Sequence, residues 1–449
     1  MPGLLGRDGF EAVASAALEL SGVDGVEVLL MHEWGGNTRF ANSEIHQSTA
    51  REDTGLRVRV VSRGRVGVSA TNECTPEGAR QAAESAREMA EIVAPDPLWP
   101  GLTPKTDTAE LQRFDEATAN ASPEARAEAV ATLIGQAPSG FSAAGAYETV
   151  ASEIGVANTE GQVCWGSQTQ ASMTTVVSGG DAGSGFAEAF AGSTNHVDAE
   201  AIGRTAARKA SASQNPKALA PGVYPVVLEP AAVATVVGFL AWVGFGGRDY
   251  IEDRSCFSGK EGEQVAASQV SITDDPGHPD TLGLAFDFEG EPHRRVDLVK
   301  DGVFRSAVYD RRIGKEAGVP STGHALPSPN PEGPFPLNLF LATGDADVEQ
   351  MIAATEHGLL VTRFHYSNVV NPVEASITGM TRDGTFLIEN GEVTGPVMNF
   401  RFTQSILAAL SATTMIGSKA ELASEFFFSA SRVPALKIEE FNFSGRSDH

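Results

Sequence analysis

Thirteen consecutive residues, Val233–Phe245, carry no charge and a single hydroxyl, on Thr235. The run is too short to cross a bilayer, which takes about 20 apolar residues, and too apolar to leave a face in water. The chain must therefore pack around it, and the expected element is a buried helix over Pro230–Gly244. The apolar strand Val223–Leu228, just before it, is expected in the same core. Beyond the helix the chain reads as strands and turns. Expected strands are Thr281–Asp287, Arg295–Val299, Val303–Val308, Leu337–Leu341, Leu359–Arg363, Ser376–Arg382, Thr385–Glu389 and Val397–Phe402. Lys300-Asp301-Gly302, Arg382-Asp383-Gly384 and Asn390-Gly391 are turn sequences between them. Helices are expected at Ala346–His357 and Thr403–Ala412. The region 221–446 is thus a β-rich antiparallel domain.

The first half divides at a proline-rich stretch, Ala94–Thr108, which reads as a linker. Before it, residues 1–94 show a helix over Phe10–Leu20, strands at Val26–Met31 and Thr38–Ala41 with a turn at Trp34-Gly35-Gly36-Asn37, and a hairpin. In the hairpin Leu56, Val58 and Val60 alternate with Arg57 and Arg59, and Val66–Ala70 returns after Ser62-Arg63-Gly64. Thr75-Pro76-Glu77 opens a further helix, with Thr75 as cap and Pro76 at its first position. This is an α/β sandwich on an antiparallel sheet. Residues 109–219 form a middle α+β subdomain. It has helices from Ser122-Pro123 and from Asp198, long strands at Ala143–Ala157 and Gln162–Val177, a turn at Gly179–Gly185 and a short strand at Phe186–Gly192. The fold class is α+β.

Fifty-eight acidic against 33 basic side chains give a net charge of −25. Such a surface repels phosphate backbones, so nucleic acid is not expected as a ligand. No apolar window suggests a membrane span, and the N-terminus lacks the pattern of a secretory leader. Three cysteines without a CxxC pair argue against a disulfide framework or a zinc ribbon; a reducing cytoplasm is the expected location.

Chemistry is sparse. His32-Glu33 is the only His-Glu dipeptide, but Gly36 stands four residues on, where a zinc helix needs a second histidine. It reads as a strand end. Asp274-Asp275-Pro276-Gly277-His278-Pro279-Asp280 gathers carboxylates and an imidazole, as an oxygen-rich metal loop would, or as a solvated loop does. Gly358–Pro372 carries Arg363, His365 and Tyr366. On a strand, Arg363 and His365 share a face. That face could grip a peptide carboxylate or carbonyl, or pair with nearby acids.

Asn42–Arg59 and Arg65–Asn72, with Gly358–Pro372, Ser376-Ile377-Thr378-Gly379-Met380, Gly384–Val393 and Gly395-Pro396-Val397, resemble the TldD/PmbA family across nearly the whole chain. The resemblance implies one member type with a helical His-Glu-x-x-x-His zinc motif and another that lacks it. It also implies that the two pair as a heterodimeric metallopeptidase enclosing its site and accepting unfolded peptides. Members are also described as modulators of DNA gyrase. The motif's slot falls here on Gly238-Phe239-Leu240-Ala241-Trp242-Val243, which offers no zinc ligand and no base. The zinc-bearing type also has a cysteine ligand near its C-terminus, and Gly417–Gly445 contains no cysteine. The chain therefore resembles the PmbA (TldE) type: no catalytic residue and no metal ligand of its own, zinc in a TldD-type partner, and unfolded peptide as the shared substrate. A self-contained peptidase with other ligands (His278 and its acids, or His365 with Tyr366) and a peptide-binding homodimer without catalysis remain open alternatives.

Overall fold

The computed structural model describes residues 3–179, 183–424 and 430–447. The expected turn at Gly179–Gly185 falls partly outside them. The first half runs α1 (Gly6–Leu18), β1 (Gly25–Ala41), β2 (Glu44–Ser62), β3 (Arg65–Thr71), α2 (Pro76–Ile92), α3 (Glu116–Ala119), α4 (Pro123–Ile134), β4 (Phe141–Asn158), β5 (Val163–Gly179), β6 (Gly183–Ala191) and α5 (Ala199–Ala212). The helix starts are capped as their sequences require. The side chains of Thr75, Ser122 and Asp198 accept the N–H of Gly78, Ala125 and Ala201, supplying acceptors that the first helical turn lacks.

The strands of this half form one antiparallel sheet in the order β3-β2-β1-β4-β5-β6. The N-terminal and middle units are joined through β1 and β4, which pair from Glu27↔Asn158 to Phe40↔Gly145. Helices α1 and α2 pack Phe10, Val13, Ala82 and Ala86 on Val26, Val28, Leu30 and Val58. Helices α4 and α5 cover Tyr147, Ala171 and Met173 in the same way.

The glycine pair of β1 departs from its expected role. Trp34-Gly35-Gly36-Asn37 is not a turn; β1 passes straight through it, and His32-Glu33 lies mid-strand. The glycines are needed for close approach. A Cβ at Gly35 would collide with the carbonyl oxygen of Thr149 on β4, and one at Gly36 with the guanidinium of Arg126 on α4.

The second half contains β7 (Gly222–Leu228), α6 (Pro230–Leu240), a π-helical turn (Ala241–Phe245) and α7 (Gly247–Ile251). Next come β8 (Ile272–Asp274), β9 (Val296–Lys300), β10 (Val303–Phe304), α8 (Arg311–Ala317), β11 (Leu339–Leu341) and α9 (Val348–Ala353). The last elements are β12 (His357–Asn371), β13 (Ser376–Glu389), β14 (Glu392–Pro396), β15 (Phe400–Ser405), α10 (Ile406–Ser411), β16 (Thr413–Ser424) and β17 (Ala430–Arg446). These strands build a single large sheet along β10-β9-β8-β11-β17-β15-β13-β12-β7, with β14 on β13 and β16 on β17; β7 also pairs with β17, so β17-β15-β13-β12-β7 closes into a ring. It is mostly antiparallel; β7–β12 and β11–β17 pair in parallel.

Several sequence expectations shift in this half. Ser376–Arg382 and Thr385–Glu389 are one strand, β13, which runs through Arg382-Asp383-Gly384 without a turn, and Val303–Val308 is a strand only as far as Phe304. Thr281–Asp287 is not a strand. Its Leu284 and Phe286 instead wedge against Leu29, Val156 and Cys164 of the first sheet. The helix over Ala346–His357 shrinks to α9 because His357 already pairs with Glu389 in the β12–β13 ladder. The helix over Thr403–Ala412 starts only at Ile406, since Thr403 and Gln404 complete β15 against Thr378 and Ile377. No helix among the described residues is long and apolar enough to cross a membrane.

The two halves are held by more than the Leu284–Phe286 wedge. Buried Arg59 on β2 donates to Glu27 and, at 2.8 Å, to Glu289 of the second half, with its guanidinium 5.1 Å from the Trp99 ring. Gln162 donates to the carbonyl of Gly290 at 2.6 Å. Arg57 donates to that of Ser328 at 2.9 Å.

Candidate functional site

Helix α6 sits between β12, β16 and β17, and four of the six residues where the resemblance places a metal motif are buried. Phe239, Leu240, Ala241 and Val243 are buried in the large core with Val226, Leu359, Val361 and Leu436. Only Trp242, at the π turn, has substantial exposure, 40%, and its ring stands 6.1 Å from Phe239. The residues at this slot do not fit a zinc ion. Their side chains carry no lone pair suited to it, and their surroundings are hydrocarbon. Among the described residues no group of three or more His, Cys, Asp or Glu side chains is gathered to hold a metal.

Arg363, His365 and Tyr366 all lie on β12, and the structure brings them together with unequal freedom. Register pairs Arg363↔Arg382, Phe364↔Thr381 and His365↔Met380 are regular, so Arg363 and His365 share a face and Phe364 points into the core. Arg363 is already engaged. Its Nε donates to Asp383 at 2.7 Å, Nη2 donates to the same oxygen, and its guanidinium lies 4.2 Å from the Phe186 ring of β6. It thus ties the two halves and is less free than the sequence suggests. His365 is half-buried; burial, with Arg363 and Arg382 beside it, lowers its pKa below the ordinary histidine value. Tyr366 is 81% exposed, has φ +53°, and stands edge-on to the His365 ring at 5.2 Å.

The acid-rich loop around His278 is an anchored turn. Arg113 donates to the carbonyls of Pro276, His278 and Pro279. Its carboxylates go separate ways: Asp275 toward Arg295, Asp280 toward Arg432, and Asp274 inward to the backbone N–H of Asn338. His278 accepts the N–H of Asp280, and its ring lies 4.4 Å from that of Phe340, tilted by 47°.

His32, from the lone His-Glu pair, donates to Glu153 at 2.8 Å. Glu153 also accepts from Trp165 and from the backbone at Gly6. The Glu153 hydrogen bond raises the pKa of His32. Burial opposes ionisation of Glu153, but His32 and the N–H donors hold its pKa below the usual value.

A second buried group has no signal in the sequence. His324 Nε2 is 3.2 Å from Asp274 Oδ1, and the His293 ring is 4.7 Å away. Burial first, then the neighbouring His324, pushes His293 down to about 4. These residues are too far apart in the chain for spacing to reveal them.

Three parts, two sheets and an apolar helix at the head of the second make up the architecture. The chain belongs to the PmbA/TldD family. The models described as PmbA/TldA metallopeptidase domain 1, central domain and C-terminal domain match residues 26–90, 99–214 and 221–445. Metalloprotease PmbA of Escherichia coli O157:H7 is 24% identical over 450 residues, covering 95% of each chain. A metalloprotease TldD homolog of Haemophilus influenzae is 26% identical over 229 residues, which span 50% of this chain and 47% of that relative's length. In fold the chain is similar to TldE of Thermococcus kodakarensis, with a TM-score of 0.87, 23% identity, and coverage of 94% of this chain and 97% of that one. It is also similar to a Thermotoga maritima protein described as a candidate modulator of a DNA gyrase, with a TM-score of 0.86, 20% identity, and coverage of 97% and 99%.

Proposed function

We propose that the chain is the metal-free member of a two-subunit peptidase that acts on unfolded peptides in the cytoplasm. It completes the chamber of a zinc-bearing TldD-type homologue. The observation that carries this reading is the packing of Phe239, Leu240, Ala241 and Val243 into hydrocarbon at the slot where the family's zinc type has its ligands. An activated water needs a Lewis acid or a base beside it, and this helix supplies neither. Peptide handling is supported by an open strand edge. Strand β3 pairs with β2 only from Leu56 onward, so Glu44–Gly55 of β2 has a strand partner on the β1 side alone. An extended peptide can add to such an edge through main-chain hydrogen bonds, which tolerate many sequences. The cytoplasmic reading is supported by three free cysteines; burial pushes the Cys164 thiol up to about 11 and Cys256 to about 12.

The test is to mix the pure chain with a zinc-motif homologue. Co-elution on a sizing column, with cleavage of an unfolded peptide only in the mixture, is expected. Two species that elute separately, or cleavage by the pure chain, would refute the proposal.

A further inference from the structure

We infer that the face of β12, β13 and β15 bearing His365, Arg382 and Arg401, flanked by Tyr366, is a recognition strip for acidic segments of extended peptides. The inference rests on the reading of the chain as a peptide-handling subunit.

The strip arises from the register. Arg363 lies opposite Arg382, His365 opposite Met380, and Met380 opposite Arg401 on β15. Directly opposed residues of antiparallel strands share a face. These five side chains therefore line one side, while Phe364, Thr381 and Phe402 are buried on the other. Arg363 is neutralised by Asp383. Among the described residues, neither Arg382 nor Arg401 makes an ion pair.

Their spacing selects the ligand. Arg382 and Arg401 are diagonal neighbours on adjacent strands, about 7–8 Å apart by ordinary sheet geometry. An extended chain places its i and i+2 side chains about 7 Å apart on one face, so an Asp-x-Glu segment meets both.

Tyr366 adds a second observation. Between His365↔Met380 and Asn368↔Thr378 strand β12 carries one extra residue, and Tyr366 adopts φ +53° there. Glycine or asparagine takes that conformation readily, whereas a bulky side chain is strained in it. The ring it presents is exposed and lies beside His365. Bulges of this kind re-aim side chains, and this one holds an aromatic surface next to the cationic strip.

The probe is a labelled, unstructured ten-residue peptide with a central Asp-x-Glu, titrated against the pure full chain by fluorescence anisotropy. Binding that weakens as ionic strength rises is expected, with little change when the peptide's C-terminus is amidated and loss when Asp and Glu become Asn and Gln. The double variant R382Q/R401Q is expected to weaken binding at least about tenfold at unchanged Tm, as loss of two charge-assisted contacts implies. Tyr366→Asn keeps the backbone conformation and removes the ring; it is expected to weaken binding several-fold without lowering Tm. The inference is overturned if the chain binds no acidic peptide, if the neutral peptide binds equally well, if binding depends on the free C-terminus instead, or if the double variant binds like the parent. All of these read the pure chain. They are therefore separate from co-elution with the zinc-motif homologue, which tests the subunit reading.

Discussion

Restoring the glutamate of the zinc motif by Phe239→Glu should abolish folding of the second half rather than create an active site. Phe239 is 3% exposed, in a core with Val236, Leu240 and Phe245. Losing its ring from that packing costs about 3 kcal/mol, at the low end for buried aromatics. The new carboxyl would have no partner there, so it must bind a proton. Keeping a group of ordinary pKa about 4.3 protonated at pH 7 costs about 4 kcal/mol. The total, about 7 kcal/mol, is of the order of a whole domain's stability, roughly 5–15 kcal/mol. Phe239→Leu provides the measurable companion. It keeps the site apolar, should cost about 1–2 kcal/mol, and should lower Tm by roughly 2–8 °C for a domain of this size. Circular dichroism melts of both variants and the parent are the assay. A Phe239→Glu chain that melts within about 3 °C of the parent would show that this helix face is hydrated, and the packing argument would be wrong.

The pair of His32 and Glu153 should make stability pH-dependent in a defined sense. The folded pKa of His32 is raised, so its contribution is full below the unfolded value, about 6.5, and is lost as pH rises through the folded value. The folded pKa of Glu153 is lowered, so its contribution is present above about 4.3 and is lost as pH falls through the folded value. Urea melts should therefore show His32→Gln costing more at pH 6 than at pH 9; an equal cost at both would contradict the assignment. Gly35→Ala should destabilise by well over the few tenths expected at an open strand position, because its Cβ meets the backbone of β4 at Thr149; a neutral substitution in the same melts would show that β1 and β4 separate easily.

The fold is legible in the sequence where a local rule has no competitor. The alternation at Leu56–Val60, the caps at Thr75, Ser122 and Asp198, and the apolar run after Pro230 each take the expected form. Local rules fail where a distant partner decides. Gly35 and Gly36 look like a turn in isolation; across the sheet they make room for Thr149 and Arg126. Thr281–Asp287 has a strand's composition, but Leu284 and Phe286 are claimed by the other sheet. The candidate site is half legible. Period-two spacing places Arg363 and His365 on one face, but it cannot foretell that Asp383 and Phe186 occupy Arg363. Nor can it supply Arg382 and Arg401, which join the strip only through strand register.

Whether α6 is truly a packing element without metal can be decided by equilibrium dialysis of the pure, folded chain against zinc, followed by elemental analysis. Zinc far below one ion per chain, unchanged by substitutions along α6, is expected. One firmly held zinc per chain, lost on altering residues of this chain, would overturn the metal-free assignment.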